Sequence, residues 1–197
     1  MKTATTVIVV AMAFLAIAGC GNQASSASQS AAPEPAASSV TSEPAAPPSV
    51  GLHEAAFLGD VESIRQHVEA SSNLDEKDSF GSTPLIIATT FGAADAAEAL
   101  IKGGADLSQV NSDGSTSLHI AAFLCRTQIV EALIEGGADK VATNNAGRTA
   151  LQSVEGPFEE KKATYDELGA GLAPMGLKLD YDHIRVTRPV IAEMLRS

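Results

Sequence analysis

Basic side chains are scarce in this chain. Thirteen Lys and Arg stand against 24 Asp and Glu, a formal net charge of −11. That balance excludes nucleic acid and an anionic membrane surface as direct ligands, because both are bound through cationic patches. It permits a basic protein partner without requiring one. Histidine is rare too. His53, His67, His119 and His183 are the four present, and none belongs to an HExxH segment or a zinc-spaced Cys/His cluster. No GxSxG elbow occurs either. No catalytic residue, metal or cofactor is therefore assigned, and no small-molecule substrate is expected. Cysteine is limited to Cys20 and Cys125. Tryptophan is absent and phenylalanine occurs six times, so a regular placement of phenylalanine carries weight.

The chain does have a period. Thr83-Pro84-Leu85, Thr116-Ser117-Leu118 and Thr149-Ala150-Leu151 begin 33 residues apart, since 116 − 83 = 149 − 116 = 33. Gly81, Gly114 and Gly147 stand two residues before each, and Gly103-Gly104-Ala105-Asp106 returns as Gly136-Gly137-Ala138-Asp139. A fixed period of this length marks stacked repeats. Glycines at 81, 114 and 147 suit tight turns. The threonines that follow suit helix N-caps, and Pro84 suits a first helical position. Ala97-Leu100-Ile101 and Val130-Leu133-Ile134 form apolar stripes at helical spacing, and the glycine pairs are helix stops. No unit buries its apolar face alone, so stability comes from stacking between neighbours.

Residues 78–110 and 111–143 resemble ankyrin repeats, with the glycine, the TPLH-like segment, the alanine-rich first helix, the second helix and the GAD ending in order. Residues 51–77 enter such a repeat at its first helix, Leu52-His53-Glu54-Ala55-Ala56 aligning with Leu118-His119-Ile120-Ala121-Ala122. A fourth begins at Asn144 and loses the pattern near Gly156. The resemblance implies an all-α ankyrin-repeat solenoid of about four repeats with divergent C-terminal capping helices. It implies that His119 hydrogen-bonds Thr116. The TPLH tetrapeptide is nowhere complete, which puts the turn–helix hydrogen bonds of the second and fourth repeats in question. His67 falls in the slot of Leu100 and Leu133 and is expected to be half-buried. Past Gly156, a polar helix over Glu159–Leu168, a loop at Gly169–Gly176 and two helices, Asp180–Arg185 and Pro189–Arg196, are expected. They read as a fourth unit carrying an insertion.

The resemblance also implies binding through turn tips and first helices. The tips are Ser79, Phe80 and Ser82; Ser112, Asp113 and Ser115; Asn145, Ala146 and Arg148. The ends of the first helices carry Phe57-Leu58, Thr90-Phe91 and Phe123-Leu124. This apolar stripe reads either as an interface or as packing between repeats and beneath the C-terminal segment. The partner-binding set is accordingly Phe57, Leu58, Phe80, Thr90, Phe91, Asp113, Phe123, Leu124 and Arg148. Cys125 fills the slot of Gly59 and Gly92, as a packed small residue or as a reactive thiol.

The one long apolar run, Ala4 to Ala18, is short for a membrane span and suits a signal peptide after Lys2. Ile17-Ala18-Gly19-Cys20 looks like the lipobox of bacterial lipoproteins, which implies lipidation of Cys20 and a signal segment over 1–19. An ordinary secretory signal with a chance cysteine is the other reading. Residues 20–50, rich in Ala, Ser and Pro, read as a disordered tether, and 51–197 as the folded domain with its atypical part at 156–197. Cleavage removes Lys2 and no acid, leaving 12 − 24 = −12. A lipidated Cys20 leaves Cys125 without a disulfide partner. Gly21 after the cysteine implies, by the enterobacterial rule, an outer-membrane anchor with the domain at the periplasmic face. The expectation is an envelope-anchored protein-protein interaction module that binds an unidentified protein and reaches the membrane through Cys20. Two alternatives are an accessory or inhibitory subunit of an envelope enzyme, and an enzyme with its site around Tyr181, Asp182, His183 and Arg185.

Overall fold

A computed structural model describes residues 49–197. Among these, regular structure is helical apart from an isolated antiparallel bridge between Val110 and Thr116. Three helical hairpins come first: α1 (Leu52–Leu58) with α2 (Val61–Glu69), α3 (Pro84–Phe91) with α4 (Ala94–Lys102), and α5 (Ser117–Phe123) with α6 (Thr127–Glu135). Then follow α7 (Ala150–Val154), α8 (Phe158–Leu172), a 3₁₀ turn (Ala173–Met175) and α9 (Tyr181–Arg196). α1, α3, α5 and α7 stack as an inner row, and α2, α4, α6 and α9 as an outer row. The expected all-α repeat solenoid is present.

Local chemistry starts each inner helix. Thr83, Thr116 and Thr149 hold extended backbone, and their side chains accept from the N–H groups of Ile86, His119 and Gln152. In the fourth repeat Gln152 replaces histidine and its Oε1 still accepts from Thr149 N at 2.9 Å. The reciprocal cap survives there, contrary to expectation, because an amide oxygen reaches back as well as an imidazole nitrogen does. In the second repeat Ile86 has no polar side chain, and only the threonine half of the cap remains.

The paired glycines do different work. Gly103 and Gly136 have helical φ of −73° and −71°. A Cβ on Gly103 would lie 2.5 Å from Val68 Cγ2, and one on Gly136 2.9 Å from Ile101 Cγ2. They are small so that successive outer helices can close together. Gly104 and Gly137 have φ of 92° and 86° with open space around them, so they are glycine for backbone conformation alone.

The core runs continuously between the two rows. Ile64, Ala97 and Val130 repeat in the outer helices, with Leu100 and Leu133 one turn further on, and Ala55, Ala88 and Ala121 repeat in the inner ones, all fully buried. Truncating one of the large outer-row residues to alanine costs roughly 2–5 kcal/mol. His67 is half-buried and ties the chain entry down, with Nε2 donating to the Val50 carbonyl at 2.8 Å.

The C-terminal part differs from expectation in two places. Residues 180–196 form one helix, not two, with exposed Pro189 inside it. Pro189 cannot donate to the Arg185 carbonyl one turn earlier. The helix continues because Ile184, Ile191, Ala192 and Leu195 keep one buried face along its length. The glycine-rich stretch begins as helix, not loop, since α8 runs through Gly169 and Gly171 to Leu172. Gly169 admits the returning chain, because a Cβ there would stand 3.3 Å from Leu179 Cδ1. α9 packs on α7 and α6 as the outer helix of the fourth unit, and α8 is inserted between the two halves of that unit.

Candidate functional site

The turn tips are built by an aspartate or asparagine at the repeat interval. Asp78 Oδ1 accepts from the N–H groups of Phe80 and Ser82, Asn111 Oδ1 from Asp113 and Ser115, and Asn144 Oδ1 from Ala146 and Arg148. These three side chains fix the tips. The signal that could have found them is their spacing, 111 − 78 = 144 − 111 = 33. Successive tips also join, Asn145 N donating to the Asp113 carbonyl at 3.0 Å. Phe80 and Asp113 are half-buried, and burial raises the Asp113 carboxyl above its ordinary value.

His119 connects a tip to the next repeat. Its Nε2 donates to the Arg148 carbonyl at 2.9 Å, so Nδ1 is the acceptor, and it receives the Thr116 N–H at 3.3 Å. Thr116 Oγ1 lies 2.8 Å from the same nitrogen. The expected contact with Thr116 is present, and the bridge to Arg148 is an addition the sequence did not suggest. Burial lowers the His119 pKa, against the opposing pull of its carbonyl contact. The Arg148 side chain itself is exposed.

The apolar stripe divides. Phe57 and Phe91 meet edge to face with ring centroids 4.6 Å apart, joining the first two repeats. Phe57 is 38 % exposed and Leu58 64 %. Thr90 turns back on its own helix, Oγ1 donating to the Ile86 carbonyl at 2.8 Å. In the third repeat the arrangement changes. Phe123 stacks on Tyr165 of α8, centroids 4.3 Å apart, and Leu124 is only 3 % exposed although it occupies the slot of Leu58. Of the two readings of the stripe, packing beneath the C-terminal segment holds in the third repeat, and the open apolar patch is confined to the first two. The C-terminal helices cover the remainder.

Cys125 has φ of 54°, the left-handed conformation that Gly59 and Gly92 adopt at 72° and 76°. It is buried, its Sγ 3.7 Å from the Ile184 carbonyl of α9, and burial pushes its thiol up to about 11. A protonated, enclosed thiol is packing material, not a nucleophile. Tyr165, also buried, donates to the Phe123 carbonyl at 2.7 Å and accepts from Arg188 at 3.0 Å.

The residues considered for chemistry in the C-terminal segment point to different neighbours. Tyr181 donates to Asp166 at 2.8 Å, Arg185 pairs with Glu159 and Asp182, and exposed His183 lies beside Thr187. Cys20 and the signal and tether expectations lie outside the described residues.

With this geometry in view, the family model for ankyrin repeats (three copies) matches residues 52–144. No curated protein matches the chain. The matched stretch is the run of three helical hairpins together with the start of the fourth tip. Ankyrin repeats indicate a protein-protein interaction module, of a kind that is generally non-catalytic.

Proposed function

We propose that the chain is a lipid-anchored envelope protein that presents its concave repeat surface to one protein partner. The observation that carries the docking part is the Phe57, Leu58 and Phe91 patch, apolar and partly open on adjacent inner helices. Rigid aromatic groups of this kind make efficient interface anchors. The anchoring part rests on Ile17-Ala18-Gly19-Cys20 after an apolar run, and on the Ala/Ser/Pro-rich stretch that follows. Two or more acyl chains at Cys20 give stable attachment. The tether then holds the repeats near the membrane and raises their effective concentration against anything else anchored there.

The test uses the full chain and a Phe57→Ser, Leu58→Ser variant as baits on envelope extract of the source cell, with helix content checked by circular dichroism. One protein kept by the wild type and lost by the folded variant supports the reading. Equal retention by both baits sinks it. For the anchor, Cys20→Ala should abolish palmitate labelling and release the protein from membranes.

A further inference from the structure

A cleft of about 360 Å³ opens between the end of α7, the start of α8 and the middle of α9. Val154, Phe158, Ala192 and Arg188 are its buried lining, and exposed Arg185 and Arg196 stand at its rim. The size suits a small ligand, and such sites are mostly apolar with a few placed polar groups.

Burial singles out Arg188. Of the lysines and arginines among the described residues it alone is buried, at 3 % exposed. Arg65, Lys77 and Lys178 are exposed, and Arg126 and Lys140 half-buried. A guanidinium carries five N–H donors. Arg188 Nη1 donates to Tyr165 Oη at 3.0 Å, and Nη2 to the carbonyls of Glu155 and Gly156 at 3.2 and 3.3 Å. All three acceptors are neutral. Two donors and the whole positive charge are therefore left unanswered among the described residues. Water can satisfy two N–H groups but cannot cancel the charge, and a buried charge without a counter-charge is costly.

The other charged groups at the cleft are already matched. Arg196 pairs with Glu155 at 2.9 Å and Glu193 at 3.5 Å. Arg185 pairs with Glu159 at 3.0 Å and Asp182 at 3.3 Å, its guanidinium 4.9 Å from the centre of the Phe158 ring. Direct contacts fix the grouping, since Glu155 joins Arg188 through its carbonyl and Arg196 through its carboxylate. The cleft thus has a surplus of one positive charge beside an apolar wall. A dianion such as a phosphate monoester exceeds that surplus, and a monocarboxylate equals it. Carboxylate oxygens also suit the donor fork of an arginine.

We propose that this cleft binds a small monocarboxylate with an apolar body, its carboxylate on Arg188 and its body against Phe158 and Ala192. The site is built by α7, α8 and α9 and does not depend on the concave-surface reading, whose patch is on α1 and α3.

The test follows the backbone amide resonances of the full chain during titration with benzoate. Benzyl alcohol is the neutral counterpart and phenyl phosphate the dianion. Benzoate should shift the Gly156, Phe158 and Ala192 amides saturably. Benzyl alcohol should bind at least about tenfold more weakly, as loss of a charge-assisted contact predicts. Ala192→Leu narrows the cleft, leaves every arginine in place and should weaken benzoate about tenfold. Arg188→Lys keeps the charge, loses the fork and should weaken it by a similar factor. Circular dichroism checks that both variants fold, and the comparison of benzoate with benzyl alcohol on the wild type needs neither. No saturable shift at these amides, or equal affinity for benzoate and benzyl alcohol, overturns the inference. So does equal benzoate affinity in the wild type and folded Ala192→Leu. Tighter binding of phenyl phosphate than of benzoate removes the monocarboxylate assignment. If benzoate is inert while an acetylated tripeptide ending in phenylalanine with a free carboxylate shifts the same amides, the cleft takes a protein terminus instead.

Discussion

Tyr165 lies flat on Phe123, with 11° between the ring planes, and donates its hydroxyl to the Phe123 backbone carbonyl at 2.7 Å. This contact fastens an inserted helix, α8, to the third repeat and sets where the open part of the concave face ends. Of the residues of α8, Phe158, Tyr165 and Leu172 are buried, and Asp166 and Glu159 tie it to Tyr181 and Arg185 of α9.

Tyr165→Phe keeps the stack but leaves the Arg188 guanidinium short of an acceptor. A cost of about 1–3 kcal/mol is expected for that buried donor, read as a lower urea midpoint. Tyr165→Ala also removes the ring and should cost about 3–5 kcal/mol, as for other large buried aromatic truncations. Equal midpoints for the wild type and the alanine variant would show that the stack contributes nothing.

His119 makes stability depend on pH in a defined direction. Its folded pKa lies below the ordinary 6.5, so the unfolded chain takes up a proton first as pH falls. Stability contributed by neutral His119 is present above 6.5 and is lost as pH falls below it. Unfolding midpoints from pH 8 down to pH 5 should drop more steeply for the wild type than for His119→Gln. Parallel curves would remove His119 as the cause.

Gly103 and Gly104 should respond differently to alanine. At Gly103 the new methyl would overlap Val68, and forced packing of this kind typically costs about 1–3 kcal/mol. At Gly104 space is free and the cost is conformational, about 1–2 kcal/mol for a left-handed residue. The distinguishing variant is Val68→Ala, which should partly rescue Gly103→Ala and leave Gly104→Ala unchanged in a double-mutant cycle.

Pro189 interrupts the hydrogen bonding of α9 on an exposed face. Pro189→Ala should restore the bond to the Arg185 carbonyl and stabilise the chain, by up to about 3 kcal/mol on helix-propensity grounds. A higher melting temperature is the expected reading, and a lower one would assign Pro189 a packing role.

Much of the scaffold was legible because it is written locally and repeated. The threonine caps, the turn glycines and the outer-row stripe Ile64, Ala97, Val130 each depend on residues within a turn or two, so the 33-residue interval reports them directly. Asp78, Asn111 and Asn144 obey the same interval and were open to the same reasoning. The two glycines of each pair look alike in sequence. They separate only when Val68 and Ile101 of the preceding outer helices approach.

The candidate site was legible as a row of slots but not as a surface. Leu58 and Leu124 share a slot, and one is 64 % exposed while the other is 3 %. The two chain neighbours of Leu124, Phe123 and Cys125, meet Tyr165 of α8 and Ile184 of α9, residues that come much later in the chain and carry no repeat signal.

By itself the sequence determined the period, the helical hairpins, their caps and the acidic balance, because each follows from short-range backbone chemistry or from composition. Tertiary structure alone decided which apolar side chains stay open, because that depends on how the inserted helix folds back across the last repeats.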